Sequence, residues 1–110
     1  MKKLILIDLD GVLNDYNGNY NAHKIPPIKE GAKDFITKLA QDYNLCLFTS
    51  RNILDATRWL IKNKIDKYFT EVTNTKRPAF LYIDDRAITF DGDFNKTTQE
   101  IKKFKTYWKK

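Results

Sequence analysis

The sequence predicts a single α/β domain, a parallel sheet with helices on both faces in three layers. Three observations carry that prediction. Short apolar runs of strand length alternate with stretches of helical period. Two of those runs end directly in acidic pairs. The 110 residues, 42% of them hydrophobic, suffice for one core and are too few for two, so residues 1–110 read as one domain.

Lys3 to Ile7 reads as a buried strand. A loop rich in Gly, Asn and Tyr follows from Gly11 to Pro27. After Pro26-Pro27, residues Ile28, Ala32, Phe35, Ile36, Leu39 and Tyr43 recur at three- and four-residue steps, which predicts a first helix. Leu45 to Phe48 is a second buried strand. Ser50 is placed to N-cap the next helix, whose apolar stripe is Ile53, Ala56, Leu60 and Ile61, with Trp59 toward its edge. Phe69 to Val72 and Phe80 to Ile83 read as the third and fourth strands, and Ala87 to Phe90 as a short fifth ahead of the Asp91-Gly92 turn signal. Thr97 to Trp108 aligns Ile101, Phe104, Tyr107 and Trp108 at helical spacing, a stripe expected to pack. The pattern holds no repeat, no low-complexity linker and no glycine-rich phosphate loop.

The net charge of +6 is unevenly spread. Residues 96–110 hold six lysines against Glu100, whereas the first 95 residues carry 14 basic and 13 acidic side chains. The basicity belongs to the last helix, where lysines suit the negative end of the helix dipole and solvent before any nucleic-acid role. Cys46, inside Leu45-Cys46-Leu47-Phe48, reads as a buried inert thiol and leaves no partner for an internal disulfide. The apolar run after Lys2-Lys3 stops at Asp8 after four residues, too short for a signal or membrane segment. A soluble cytoplasmic protein with no membrane partner is expected.

Asp8 and Asp10 follow the first strand, and Asp84 and Asp85 follow the fourth. Either cluster alone is also what a turn after a strand looks like. In an open parallel sheet, however, ligands bind beyond the carboxyl ends of the strands, so both clusters face one crevice. Carboxylates crowded there repel one another unless protons or a cation relieve them, and a hard divalent ion such as Mg²⁺ is the natural relief. Thr49-Ser50 after the second strand and Lys76 ahead of the fourth add hydroxyls and an ammonium, donors that a phosphoryl group requires.

On these residues the chain resembles the haloacid dehalogenase superfamily of aspartate-nucleophile phosphatases. The family's first motif stands as Leu6-Ile7-Asp8-Leu9-Asp10-Gly11-Val12, its second as Leu45 to Thr49, its third as Lys76 and its fourth as Leu81-Tyr82-Ile83-Asp84-Asp85. The resemblance implies a Rossmann-like three-layer fold with Asp8 as nucleophile and Asp10 as general acid and base. It also implies Mg²⁺ on Asp8, the backbone carbonyl of Asp10 and one of Asp84 and Asp85, with Asp85 favoured. Thr49, Ser50 and Lys76 would hold the phosphoryl oxygens, and Gly11 would let the backbone approach the substrate. The acid at position 10 favours a phosphatase over a dehalogenase.

Many relatives insert a cap domain between these motifs. Here residues 14–44 hold only a loop and a helix, and residues 52–75 a helix and a strand, so no cap domain fits. An open crevice is expected, with the loop Asn14 to Lys24, carrying Tyr16, Tyr20 and His23, as the local candidate for a lid. Arg51 and Arg86 are candidates for substrate contacts. The stretch Ile83-Asp84-Asp85-Arg86 resembles the deoxyribonucleotidase branch, which implies a nucleotide or another small phosphoester as substrate. A polynucleotide end is the alternative, suited to the lysine tail if that tail lies beside the crevice. A non-catalytic nucleic-acid-binding module is a third reading, disfavoured because both Asp8 and Asp10 are present.

Overall fold

A computed structural model of the chain describes residues 1–109. Strands β1 (Lys3–Asp8), β2 (Tyr43–Phe48), β3 (Phe69–Thr73) and β4 (Leu81–Ile83) form one parallel sheet in the spatial order β3-β2-β1-β4. Parallel neighbours cannot be joined by tight turns, and helices α1 (Ala32–Leu39) and α2 (Ile53–Lys62) supply the crossovers from β1 to β2 and from β2 to β3. A third helix, α3 (Phe94–Lys103), follows β4. This is a small Rossmann-like α/β fold. Between the strands lie only loops, α1, α2 and a 3₁₀ turn at Asp66–Tyr68, so no second domain interrupts it.

Alternation along β1 and β2 sends Ile5, Ile7, Leu45 and Leu47 into one core with Leu9, Leu13, Ile36, Ala56, Leu60 and Ile65. Leu6 and Cys46 point to the opposite face and are buried there too, as expected for central strands covered on both sides. Burial pushes the Cys46 thiol up to about 11, leaving it unreactive near neutral pH.

Several element boundaries differ from the sequence expectation. The first helix starts at Ala32, not Ile28, because Gly31 precedes it with φ +88° and Ile28 is bridged antiparallel to Asn14. Tyr43 opens β2 opposite Lys3 and is not part of α1. The N-cap of α2 is Asn52, whose Oδ1 accepts the Asp55 N–H at 3.1 Å, and Ser50 is left exposed. This helix buries Ala56, Trp59 and Leu60, while Ile53 and Ile61 face out. Trp59 sets that orientation: its indole N–H donates to the Pro26 carbonyl at 3.1 Å, under the loop.

No fifth strand forms over Ala87–Phe90. Asp84 Oδ1 accepts the Arg86 N–H at 2.9 Å, an Asx turn that bends the chain away from the sheet edge just before that segment. The last helix begins at Phe94, capped by Asp93, and gives way to extended backbone at Phe104, with Tyr107–Lys109 in a separate 3₁₀ turn. None of its residues is buried, and Ile101 is 62% exposed, so its apolar stripe is not core. No helix among the described residues is long and apolar enough to cross a membrane.

The placement of α3 outside the core has a measurable consequence. Ile36→Ala, on α1, should cost about 2–5 kcal/mol in urea unfolding, whereas Ile101→Ala should stay within about 0.5 kcal/mol. Similar large losses at both positions would contradict it.

Candidate active site

The parallel register builds the site. Ile7 of β1 lies level with Ile83 of β4, so Asp8 and the Asp84-Asp85 pair emerge side by side at the carboxyl edge of the sheet. One ligand oxygen from each of Asp8, Asp84 and Asp85 lies within 4.8 Å of the others. On the other side of β1, Asp8 is level with Phe48 of β2, which brings Thr49 and Ser50 to the same edge. These groups line a crevice of about 260 Å³ together with Asp10, Tyr16, Tyr20 and Arg86.

Crowding and burial change the chemistry of Asp8. Its carboxyl is raised from 3.8 to about 8, first by burial, then by the charges of Asp84 and Asp85, with a hydrogen bond to Asp85 and the charge of Asp10 adding to the effect. Three crowded carboxylate oxygens suit a hard divalent cation, and without thiol or imidazole the set favours Mg²⁺ or Ca²⁺ over softer metals.

The Asp10 carboxylate stands apart from that cluster. It accepts the Arg51 Nε–H at 2.8 Å and an Asn14 Nδ2–H at 3.1 Å. Arg51 is only 3% exposed, donates from Nη1 to the Asn21 carbonyl at 2.8 Å, and stacks its guanidinium 4.6 Å from the Tyr20 ring centre. It therefore tethers the loop to Asp10, whereas its sequence position made it a candidate for a substrate contact. Its remaining nitrogen, Nη2, is buried without a partner.

Asn14, which sequence reading did not single out, is fully buried at the base of this loop. Its Oδ1 accepts the N–H groups of Gly11 and Tyr16, both at 3.1 Å, while its Nδ2 serves Asp10. Backbone bonds from Lys29 to Leu13 and from Asp15 to Pro27 close the base, so residues 14–28 form a pinned Ω-like loop. Its only sequence signal is an Asn just beyond an Asp-Gly turn. His23 stays exposed on the loop, its N–H on Asn21 Oδ1 at 2.9 Å.

Lys76 shares a second cavity with Asp8. It lines a cavity of about 470 Å³ with Asp8, Asp84, Phe48, Tyr82 and Ile83, its Nζ 4.6 Å from the Tyr82 ring centre. The neighbouring Arg77 is engaged by Glu71 at 3.0 Å, so of the two basic residues it is Lys76 that serves this cavity. Thr49 is buried, with its Oγ1 accepting the Arg51 N–H at 3.1 Å and its own N–H on the Thr73 carbonyl.

Gly11 takes a different role from the expected one. Its φ is +85°, and a Cβ there would run into the Asp85 carboxylate and lie 3.2 Å from Trp108 Nε1. The space is taken by this chain's own side chains, not left for a substrate. Trp108 Nε1 donates to Asp85 Oδ2 at 2.7 Å, Tyr107 Oη donates to the Gly11 carbonyl, and the Arg86 guanidinium lies 5.4 Å from the Trp108 ring. The tail thus reaches the crevice. Nothing in the sequence signals it, because the apolar period runs unbroken through Phe104 where the helix actually ends.

The raised Asp8 carboxyl makes stability pH-dependent. The folded state keeps this proton up to about 8, whereas an unfolded Asp loses it near 3.8. The stabilisation is fully present below 3.8 and is lost as pH rises through about 8. Metal-free protein should show a melting temperature that falls across this window, and Asp8→Asn should flatten the fall. A divalent cation competes with the proton, so Mg²⁺ affinity should increase with pH up to about 8. PH-independent Mg²⁺ binding would contradict this assignment.

No family model and no curated protein matches the chain. Among solved structures, one described as the structure of a conserved protein coded by a locus from Bacteroides thetaiotaomicron superposes with a TM-score of 0.63 at 21% identity. The match covers 97% of this chain and 95% of that one, so the two share this α/β fold over nearly their whole length.

Proposed function

We propose that this protein is a Mg²⁺-dependent phosphomonoesterase of the haloacid dehalogenase type, working through an aspartyl-phosphate on Asp8. The observation that carries the reading is the convergence of Asp8, Asp84 and Asp85 at the carboxyl ends of two adjacent parallel strands, with Asp10 in the same crevice bonded to Arg51 and Asn14. Two carboxyl groups in different surroundings can take different roles, one as nucleophile and one as acid and base.

In this mechanism the Asp8 carboxyl first gives up its proton to solvent, and an oxygen of the resulting carboxylate attacks phosphorus as the P–O bond to the leaving group breaks. Asp10 delivers its proton to the departing oxygen, then takes a proton from the water that attacks the aspartyl-phosphate, releasing phosphate and restoring Asp8. Arg51 and Asn14 fix the Asp10 carboxyl for both transfers. Thr49, Ser50 and Lys76 line the space around Asp8 and are suited to bind the phosphoryl oxygens. Asp8, Asp84, Asp85 and the Asp10 carbonyl would hold Mg²⁺, whose charge offsets that of the carboxylates and the phosphoryl group when it is bound.

The cavity of about 470 Å³ beside Asp8 supports a small substrate such as a nucleotide. It is in the size range of small-ligand sites, and Phe48, Tyr82 and Ile83 offer an apolar wall to a leaving group. Hydrolysis of p-nitrophenyl phosphate should require Mg²⁺, and Asp8→Asn should lower it at least about a thousandfold. Metal-independent turnover, or full activity in Asp8→Asn, would sink the mechanism.

A second reading, hydrolysis at a polynucleotide end, is supported by the turn Tyr107–Lys109, in which Lys109 lies over the Trp108 ring that bonds Asp85. In that case replacing Lys109 by Gln should slow oligonucleotide hydrolysis and reduce its salt dependence while leaving mononucleotide turnover unchanged. Equal effects on both substrates would contradict this second reading.

A further inference from the structure

The turn after α3 sits in a seat built for it. Trp108 Nε1 meets Asp85 Oδ2 at 2.7 Å, and Tyr107 Oη meets the Gly11 carbonyl. Two glycines make the room. A side chain at Gly11 would collide with Asp85 and crowd Trp108 Nε1, and one at Gly18 would lie 3.2 Å from the Trp108 ring. Their φ values of +85° and +103° select glycine by backbone as well as by space. Tyr16 meets the indole edge to face at 5.6 Å. The loop above the crevice and the last turn are thereby joined through one ring.

We propose that Trp108, held in the turn Tyr107–Lys109, is a positioning residue that fixes the Asp85 carboxylate for a divalent cation. The proposal rests on the phosphatase reading of the crevice. An indole N–H can only donate, so its natural partner is an acceptor such as a carboxylate oxygen. Bonding one oxygen of Asp85 fixes the plane of the group and the direction of its other oxygen. Such outer partners of metal ligands set affinity as well as geometry. Simple packing would bury the ring on the core, whereas Trp108 is half-buried and aims its one polar atom at a member of the Asp8, Asp84 and Asp85 cluster.

Calorimetric titration of Mg²⁺ into the unaltered chain and into Trp108→Phe tests the proposal. Phenylalanine keeps a ring against Tyr16 and Gly18 and removes the donor. Trp108→Phe should bind Mg²⁺ about tenfold more weakly, with a metal-free melting temperature within about 2 °C of the unaltered chain. Equal or tighter binding by Trp108→Phe overturns the proposal and leaves the phosphatase reading standing. Failure of the unaltered chain to take up Mg²⁺ removes that reading, and this proposal with it. A second measurement needs no substitution: on Mg²⁺ addition the Trp108 indole N–H resonance should shift while that of Trp59, bonded to the Pro26 carbonyl, stays in place. A stationary Trp108 resonance also overturns the proposal.

Discussion

Carboxylates at the ends of adjacent parallel strands have nowhere else to go. The register of β1 with β4 delivers Asp8, Asp84 and Asp85 to one point on the sheet edge, and the core packed behind them prevents any retreat along the strands. Their mutual repulsion is the constraint to which the surroundings answer. Asp8 responds by holding its proton up to about 8. Asp85 is met by the Trp108 indole, and Asp84 caps its own turn through the Arg86 N–H. A divalent cation would relieve the same repulsion more completely, and its binding would then be linked to the proton on Asp8 and to fold stability at this one place.

Around that edge, segments that contribute little to the core do most of the enclosing. The loop over residues 14–28 is fastened at its base by Asn14 and along its length by Arg51, which reaches from the end of β2 to Asp10, Asn21 and Tyr20. From the other direction the last turn leans on Gly11, Gly18 and Tyr16 through Trp108. Segments of this kind open more readily than the sheet they rest on, and closing elements need that property. The sheet fixes Asp8, and the loop and the last turn lie against the crevice beside it.

Much of this was legible in the amino-acid pattern. The strands could be read because β1 and β2 are short apolar runs terminated by polar residues, as burial on both faces requires, and the exposed edge strand β4 is a short apolar run that ends the same way. For the same reason the residues that line the strand ends, Asp8, Asp84, Asp85 and Thr49, were legible. Helix limits were less so, since Gly31 and Asn52 override the apolar period through backbone and capping preferences that span only a residue or two. Least legible was everything that depends on distant segments meeting. The pairing of Arg51 with Asp10 spans 41 positions, and the Trp108–Asp85 bond exists only because the chain leaves helical geometry at Phe104 without a proline or glycine to announce it.

A crystal grown with Mn²⁺ as a spectroscopic substitute for Mg²⁺ gives the most direct test of the central claim. The account predicts one strong anomalous peak bound by oxygens of Asp8, Asp84 and Asp85 at the carboxyl edge of β1 and β4. A well-ordered crystal in which Mn²⁺ sits elsewhere, or in which these three carboxylates remain together with no ion among them, would contradict it.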